Sequence, residues 1–131
     1  IEVNEENVFY GDFKQESGYE ITKKILKLEN IPTAIFAANN MMALGCVKAL
    51  IESGLSIPND MAFISFDDVD MFEIMNLNIS TVSRPTERMG EVAAEMLFDL
   101  IQHKDINKLS IKEVLLETRL VLRGSEKLIK K

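Results

Sequence analysis

The run Ala34-Ile35-Phe36-Ala37-Ala38-Asn39-Asn40-Met41-Met42-Ala43-Leu44-Gly45 constrains this chain more than any other. A short apolar strand ends on two side-chain amides, and an apolar helix begins at once. The helix runs to about Ser53, where Gly54 supplies the left-handed residue that commonly closes one. A loop containing Pro58 follows, and Met61 to Phe66 forms a second apolar strand that runs into Asp67-Asp68. Strand, helix and strand within so few residues make a βαβ unit, with parallel strands and a right-handed crossover. Ligands of open parallel sheets bind beyond the carboxyl ends of the strands. Asn39 and Asp67, at two such tips, therefore mark a mouth for a small polar molecule.

The rest of the chain arranges itself around that unit. Its 131 residues suit one compact domain of ordinary size. A short strand is expected near Val8–Tyr10, then a turn at Gly11-Asp12-Phe13. Gln15 to Leu28 is a helix, with Ile21, Ile25 and Leu28 at helical spacing, ended by Asn30 and Pro32. The apolar Thr33–Ala38 is expected as a strand buried on both faces. Asp67 to Asn78 is irregular, although Phe72, Ile74, Met75 and Leu77 need burial; Ile79–Val82 is a brief strand. Pro85 to Gln102 is the clearest helix, because Met89, Val92, Met96 and Leu100 repeat at three and four and Pro85 suits a first turn. Val114 to Leu122 is expected as a last strand.

Charge and cysteine usage remove several function classes. A net charge of −6 with scattered basic residues argues against a grip on a nucleic-acid backbone. Lys127, Lys130 and Lys131 read as a solvated end. Cys46 is alone, so it forms no internal disulfide and no cysteine metal cluster, and its small apolar neighbours describe a buried thiol. His103 has no second ligand nearby and suits a helix C-terminus. The methionines are core or interface filler rather than a cofactor box. No metal and no cofactor is expected, and no apolar run approaches a membrane span. The chain opens on Ile1-Glu2-Val3-Asn4, without a starting Met or a signal sequence, and reads as a piece of a longer protein.

Four motifs, in order, resemble one family. Gly11-Asp12-Phe13 with Ser17-Gly18-Tyr19 is similar to its "GDF…SGY" element. Pro32 to Asn39 with Met42 to Gly45 is similar to "PTAIFAAND…MALG". Gly54 to Asp60 with Ile64 to Asp68 resembles "GL.IP.D…GFDD", and Ile79 to Pro85 with Met89-Gly90 resembles "LTTV.QP…MG". Together they identify the chain as a member of the lac/galactose repressor family of bacterial transcription regulators. The resemblance implies an α/β fold: a parallel-sheet, three-layer lobe of the periplasmic-binding-protein-like kind, here incomplete, with the first lobe largely absent. Residues 1–82 would be most of the C-terminal effector-binding lobe. Residues 83–131 would be the crossover helix and strand returning toward the N-terminal lobe. The opening strand and helix of the lobe are expected to be lacking as well.

The resemblance also ranks the candidate effector-binding residues. Asp67 matches the effector-contacting first acid of the "FDD" element; a strand-end carboxylate accepts two hydroxyl hydrogen bonds, and charged acceptors make the stronger ones. Its plainer reading is a loop acid. Asn39 offers donor and acceptor to a hydroxyl, with Asn40 expected to cap the helix; the plainer reading makes Asn39 the cap. Phe13 stands where the family sets an aromatic against the effector, or else is a core residue, while Asp12 is a turn former. Arg84 replaces the family's usual Gln. Its planar fork suits an anionic effector group, or an ion pair with Asp67 or Glu87.

A small-molecule effector is the expected partner: a sugar, a sugar phosphate or a purine-like compound. DNA would be reached only through a missing N-terminal domain, the location would be cytoplasmic, and no membrane is involved. Homodimerisation is expected through the Met42–Leu50 helix and the Phe72–Leu77 loop. The competing reading is a periplasmic-type sugar-binding protein for transport or chemoreception, against which the Asp67-Asp68 pair and Thr81 to Pro85 speak. An enzyme using an acidic cup at Asp67-Asp68-Val69-Asp70 is the remaining class, and it lacks the accompanying residues.

Overall fold

The computed structural model describes residues 4–102 and 112–127. Two compact units are present. One holds the described residues up to Ser83 and those from Leu120 on; the other holds those from Arg84 to Arg119.

A four-stranded sheet has the order β1-β2-β3-β4, formed by β1 (Ala34–Ala37), β2 (Ala62–Phe66), β3 (Ser80–Ser83) and β4 (Arg119–Val121). β1 pairs with β2 and β2 with β3, both parallel, as the βαβ pattern requires. Helix α1 (Gln15–Ile25) and helix α2 (Asn40–Glu52) pack together beside the sheet. The core lies between α2 and the strands: Val47, Leu50, Met61, Phe63, Phe72 and Ile79 are all buried. Burying one such large side chain contributes about 2–3 kcal/mol. Among the described residues every buried side-chain nitrogen or oxygen has a hydrogen-bond partner.

Two motif glycines turn out to serve packing. A Cβ at Gly18 would stand 2.2 Å from the Met42 carbonyl oxygen, and one at Gly45 would stand 1.9 Å from that of Gln15. The backbones of α1 and α2 therefore touch, and no larger residue fits between them. Thr22 Oγ1 and Cys46 Sγ fill the same seam, both directed at the Gly18 carbonyl. Gly54, with φ +76, ends α2 as expected, its N–H donating to Ile51 O and that of Leu55 to Leu50 O.

Several local expectations are corrected. β1 is not buried on both faces. It is the outermost strand of the described sheet, with Ala34 and Phe36 exposed and only Ala37 buried. Val8–Tyr10 forms no strand, although Val8 is extended; a single 3₁₀ turn, Glu5–Asn7, precedes it. Helix α1 stops at Ile25, leaving Leu28 exposed. The segment after Asp67 contains a short helix, α3 (Asp70–Ile74), which seats Phe72 in the core. The last strand shrinks to β4, and residues 112–118 carry no regular structure.

Beyond β4 the chain is tied into the first unit. Ser125, buried, accepts from the Ser80 N–H (2.7 Å) and donates to the Phe63 carbonyl, while its own carbonyl accepts from the Phe63 N–H (2.8 Å). Ser80 Oγ donates to the Glu126 carboxylate and accepts from the Arg123 N–H. In the second unit α4 (Thr86–Gln102) buries Val92 but exposes Met89, Leu97, Phe98, Leu100 and Ile101. His103, Lys130 and Lys131 lie outside the described residues.

Candidate functional site at the carboxyl edge of the sheet

The register decides whether the two polar tips belong together. Ala37 stands beside Ser65 in the β1–β2 ladder. Asn39 and Asp67 each lie two residues past that last pair, beyond the carboxyl ends of adjacent parallel strands. In the β2–β3 ladder Phe66 stands beside Val82, so Asp67 is level with Ser83, and its N–H donates to the Val82 carbonyl at 3.0 Å. Asn39 and Asp67 thus share one end of the sheet.

Asp67 is half-buried and has φ +70. A non-glycine residue seldom enters the left-handed region, and aspartate is among those that tolerate it best. Ser65 Oγ donates to the Asp67 carbonyl at 3.2 Å, so the turn is held from both sides. The left-handed step carries Asp68 back over β3. There it meets Arg123, whose Nη1 and Nη2 donate to the two Asp68 carboxylate oxygens at 3.0 and 2.6 Å.

Asn39 is the cap of α2, which reverses the expected division of labour. Its backbone is extended, and its Oδ1 accepts from the Met42 N–H at 3.0 Å. Asn40 Oδ1 instead accepts from the Met41 N–H at 2.7 Å and from Asn39 Nδ2 at 3.3 Å. The physical reason is that the cap must precede the first helical residue, and the helix begins one residue earlier than the reversed order needs. A side-chain amide has two N–H hydrogens and two carbonyl lone pairs, so these bonds use half of what Asn39 offers.

Phe13 is not a core residue. It is 69% exposed and has φ +64, a conformation that a bulky side chain adopts only under constraint. The constraint is visible: Asp12 Oδ1 accepts from the Lys14 N–H, and Ser17 Oγ accepts from the Asp12 N–H, so the turn before α1 is locked. The Asp12 carboxyl pKa is lowered, first by a side-chain hydrogen bond with Ser17 and next by the Lys14 N–H. Asp12 is thus the turn former that its sequence suggested.

Phe13 and Asn39 line one cleft of ≈ 550 Å³, together with Tyr10, Phe36 and Met42. Asp67 does not line it. The cleft is lined by every residue of β1 and by Asn7 to Gly11, and beyond the strand's carboxyl end it includes Asn39. Tyr10 and Phe36, exposed at 85% and 58%, were not singled out from sequence. Arg84 directly follows β3 and opens the second unit. Among the described residues no group of three or more His, Cys, Asp or Glu is placed to hold a metal ion, and no helix is long and apolar enough to cross a membrane.

Comparison with known proteins agrees with this architecture. The model of the periplasmic binding protein-like domain family matches residues 2–126. The HTH-type transcriptional regulator MalR of Clostridium butyricum is 38% identical over 125 residues, which are 95% of this chain and 36% of that protein. The HTH-type transcriptional repressor PurR of Mannheimia succiniciproducens is 36% identical over 98% of this chain and 38% of its own length. Among solved structures, a complex of the transcriptional regulator CelR with cellobiose superposes with TM-score 0.83 at 33% identity, covering 95% of this chain and 37% of that one. A LacI family transcriptional regulator from Enterococcus faecium with bound ribose gives TM-score 0.78 at 32% identity, covering 91% and 42%. The chain spans about two fifths of the length of these proteins. On its motifs, its parallel sheet and these relatives, the chain belongs to the periplasmic binding protein-like domain family, within the group whose members here are transcriptional regulators of the lac/galactose repressor kind.

Proposed function

We propose that this chain is the effector-binding part of a cytoplasmic, DNA-binding regulator of transcription, and that its effector docks at the carboxyl edge of the sheet. The observation that supports the reading is the parallel pairing of β1 with β2, whose last pair, Ala37 with Ser65, leaves Asn39 and Asp67 two residues further on at the same end of the sheet. Asp67 accepts hydroxyl hydrogen bonds from the effector. The unused half of the Asn39 amide supplies a donor and an acceptor. The exposed ring of Phe13 covers an apolar face of the ligand. Left-handed backbone at both Phe13 and Asp67 supports this, because strain of that kind persists where the surroundings over-determine it and gathers at ligand sites. Ribose and cellobiose in the two solved regulators favour a sugar. Arg84 adds a bidentate cation suited to a phosphate-bearing effector.

The mouth is completed by polypeptide beyond these residues, and the groove along β1 takes one of its strands rather than the effector. An apolar parallel strand left at an edge, with no charge or proline to protect it, favours that occupant. DNA is read by a separate domain, and effector binding shifts the population of arrangements that fit an operator. Two copies associate through the α2 and α3 region. Leu50 and Phe72, which the sequence assigned to this contact, are in the core; Ile51, Met71, Ile74 and Met75 are the exposed residues that serve it. The relatives are regulators rather than transport proteins or enzymes, so neither of those alternatives is favoured.

A thermal-shift screen against ribose, cellobiose, glucose 6-phosphate and adenine tests the reading. A ligand at a hundred times its Kd stabilises the folded state by about 2.7 kcal/mol. Asp67→Ala abolishes the shift, and Arg84→Gln abolishes it for the phosphate-bearing probe alone. A shift that survives Asp67→Ala moves the site elsewhere.

A further inference from the structure

We infer that Arg123 is a positioning residue for the effector site: by clamping Asp68 with both guanidinium prongs, it sets the left-handed turn that aims Asp67 over the sheet edge. This rests on the reading of Asp67 as an effector contact. Asp68 and Arg123 are 55 residues apart, and neither belongs to the candidate site on sequence. Surface ion pairs are worth little to stability, usually under about 1 kcal/mol. This one differs in geometry. The Arg123 side chain is 24% exposed and the Asp68 carboxylate 39%. Besides its two bonds to Asp68, the guanidinium donates through Nη1 to the Ile79 carbonyl at 3.0 Å and to Thr81 Oγ1 at 3.1 Å. The backbone on each side is also anchored, Arg123 N–H to Ser80 Oγ at 2.8 Å and Asp67 N–H to Val82 O at 3.0 Å.

The cation therefore does not swing in solvent. Its guanidinium is fixed at two points, the Ile79 carbonyl just before β3 and Thr81 Oγ1 within it, and the carboxylate beside Asp67 is fixed to it. Rotation about the Asp67 backbone would break the Asp68 fork, so the pair resists the relaxation of a left-handed residue to ordinary φ. Lysine in place of Arg123 keeps the charge but offers a single ammonium point, which cannot hold both carboxylate oxygens and the Ile79 carbonyl in one plane. The contribution is one of direction rather than bulk stability. The segment after β4, held through Ser125 to the backbones of Phe63 and Ser80, thereby reaches the effector mouth without touching the effector.

The test separates direction from stability. In Arg123→Gln and Arg123→Lys, the three-bond HN–Hα coupling and the exchange rate of the Asp67 amide are measured by NMR, well below the unfolding midpoint. Titration with whichever of ribose or cellobiose gives the larger thermal shift measures affinity. The expected result is an altered Asp67 coupling, amide exchange about tenfold faster and affinity about tenfold weaker in both variants, with the amides of β2 still protected. Asp68→Asn reproduces the Asp67 changes. A lowered midpoint with an unchanged Asp67 amide and unchanged affinity overturns the inference and leaves Arg123 a structural staple; so does full rescue by lysine. Asp67→Asn with undiminished sugar affinity sinks the effector reading instead, and the NMR observables of the Arg123 variants still report on the turn.

Discussion

Replacing Gly45 with alanine tests the packing of this lobe most severely. A Cβ at Gly45 would lie 1.9 Å from the Gln15 carbonyl oxygen and 2.7 Å from the Tyr19 nitrogen. Both are backbone atoms of α1, so no rotamer change relieves the clash. The helices must separate by about 1 Å to restore a tolerable contact, and a gap of that size forfeits a quarter to a half of each dispersion contact along the seam. Thr22, Ile25, Cys46 and Ala49 are buried there and all lose partners. Overpacking of this kind costs about 1–3 kcal/mol or more. Alanine recovers about 1 kcal/mol over glycine in a helix interior. Because the clash is with backbone, the cost lies at the upper end of that range, and the net expectation is a loss of about 2 kcal/mol, read as a lowered urea midpoint with an unchanged slope. Gly90 is the control, because no neighbour lies within 4 Å of a Cβ built there. Gly90→Ala in α4 gains about 0.5–1 kcal/mol, measured by amide exchange within that helix. Gly18→Ala meets the Met42 carbonyl at 2.2 Å, so the double variant with Gly45→Ala costs less than the sum, one separation serving both. A Gly45→Ala protein within about 0.5 kcal/mol of its parent would refute the close approach of α1 and α2.

Ser125→Ala strips partners from the Ser80 N–H and the Phe63 carbonyl at a buried site, and is expected to lower stability by about 2 kcal/mol in denaturant titration. Burial raises the Cys46 thiol above its ordinary pKa of 9.0, so the unfolded chain releases this proton before the folded one does. Its contribution is complete below the unfolded pKa and is lost as pH rises toward the folded one; unfolding free energy therefore falls above about pH 9, and Cys46→Ala flattens that slope. The same thiol is expected to react with an aromatic disulfide reagent only as fast as the protein opens. Ile74→Glu places a charge on a side chain that is 74% exposed, and sedimentation is expected to show loss of the proposed self-association without loss of the fold.

The sequence by itself determined the alternation of β1, α2 and β2, and with it the parallel pairing and the common end of Asn39 and Asp67. Apolar runs, a glycine stop and a right-handed crossover are local or chiral properties, and they propagate into topology without reference to distant residues. It also placed the turn at Asp12 and the termination at Gly54, because those depend on neighbouring backbone alone. It mistook the environment of β1, since apolarity does not say whether a partner strand is present. Only the tertiary structure decided that Gly18 and Gly45 bring two helix backbones into contact, that Phe13 stands exposed with left-handed φ, and that Arg123 grips Asp68 from 55 residues away. Such facts depend on distances between segments that no periodicity encodes. They arise when the packed sheet brings the segment after β4 and a strand-end turn to the same few ångströms.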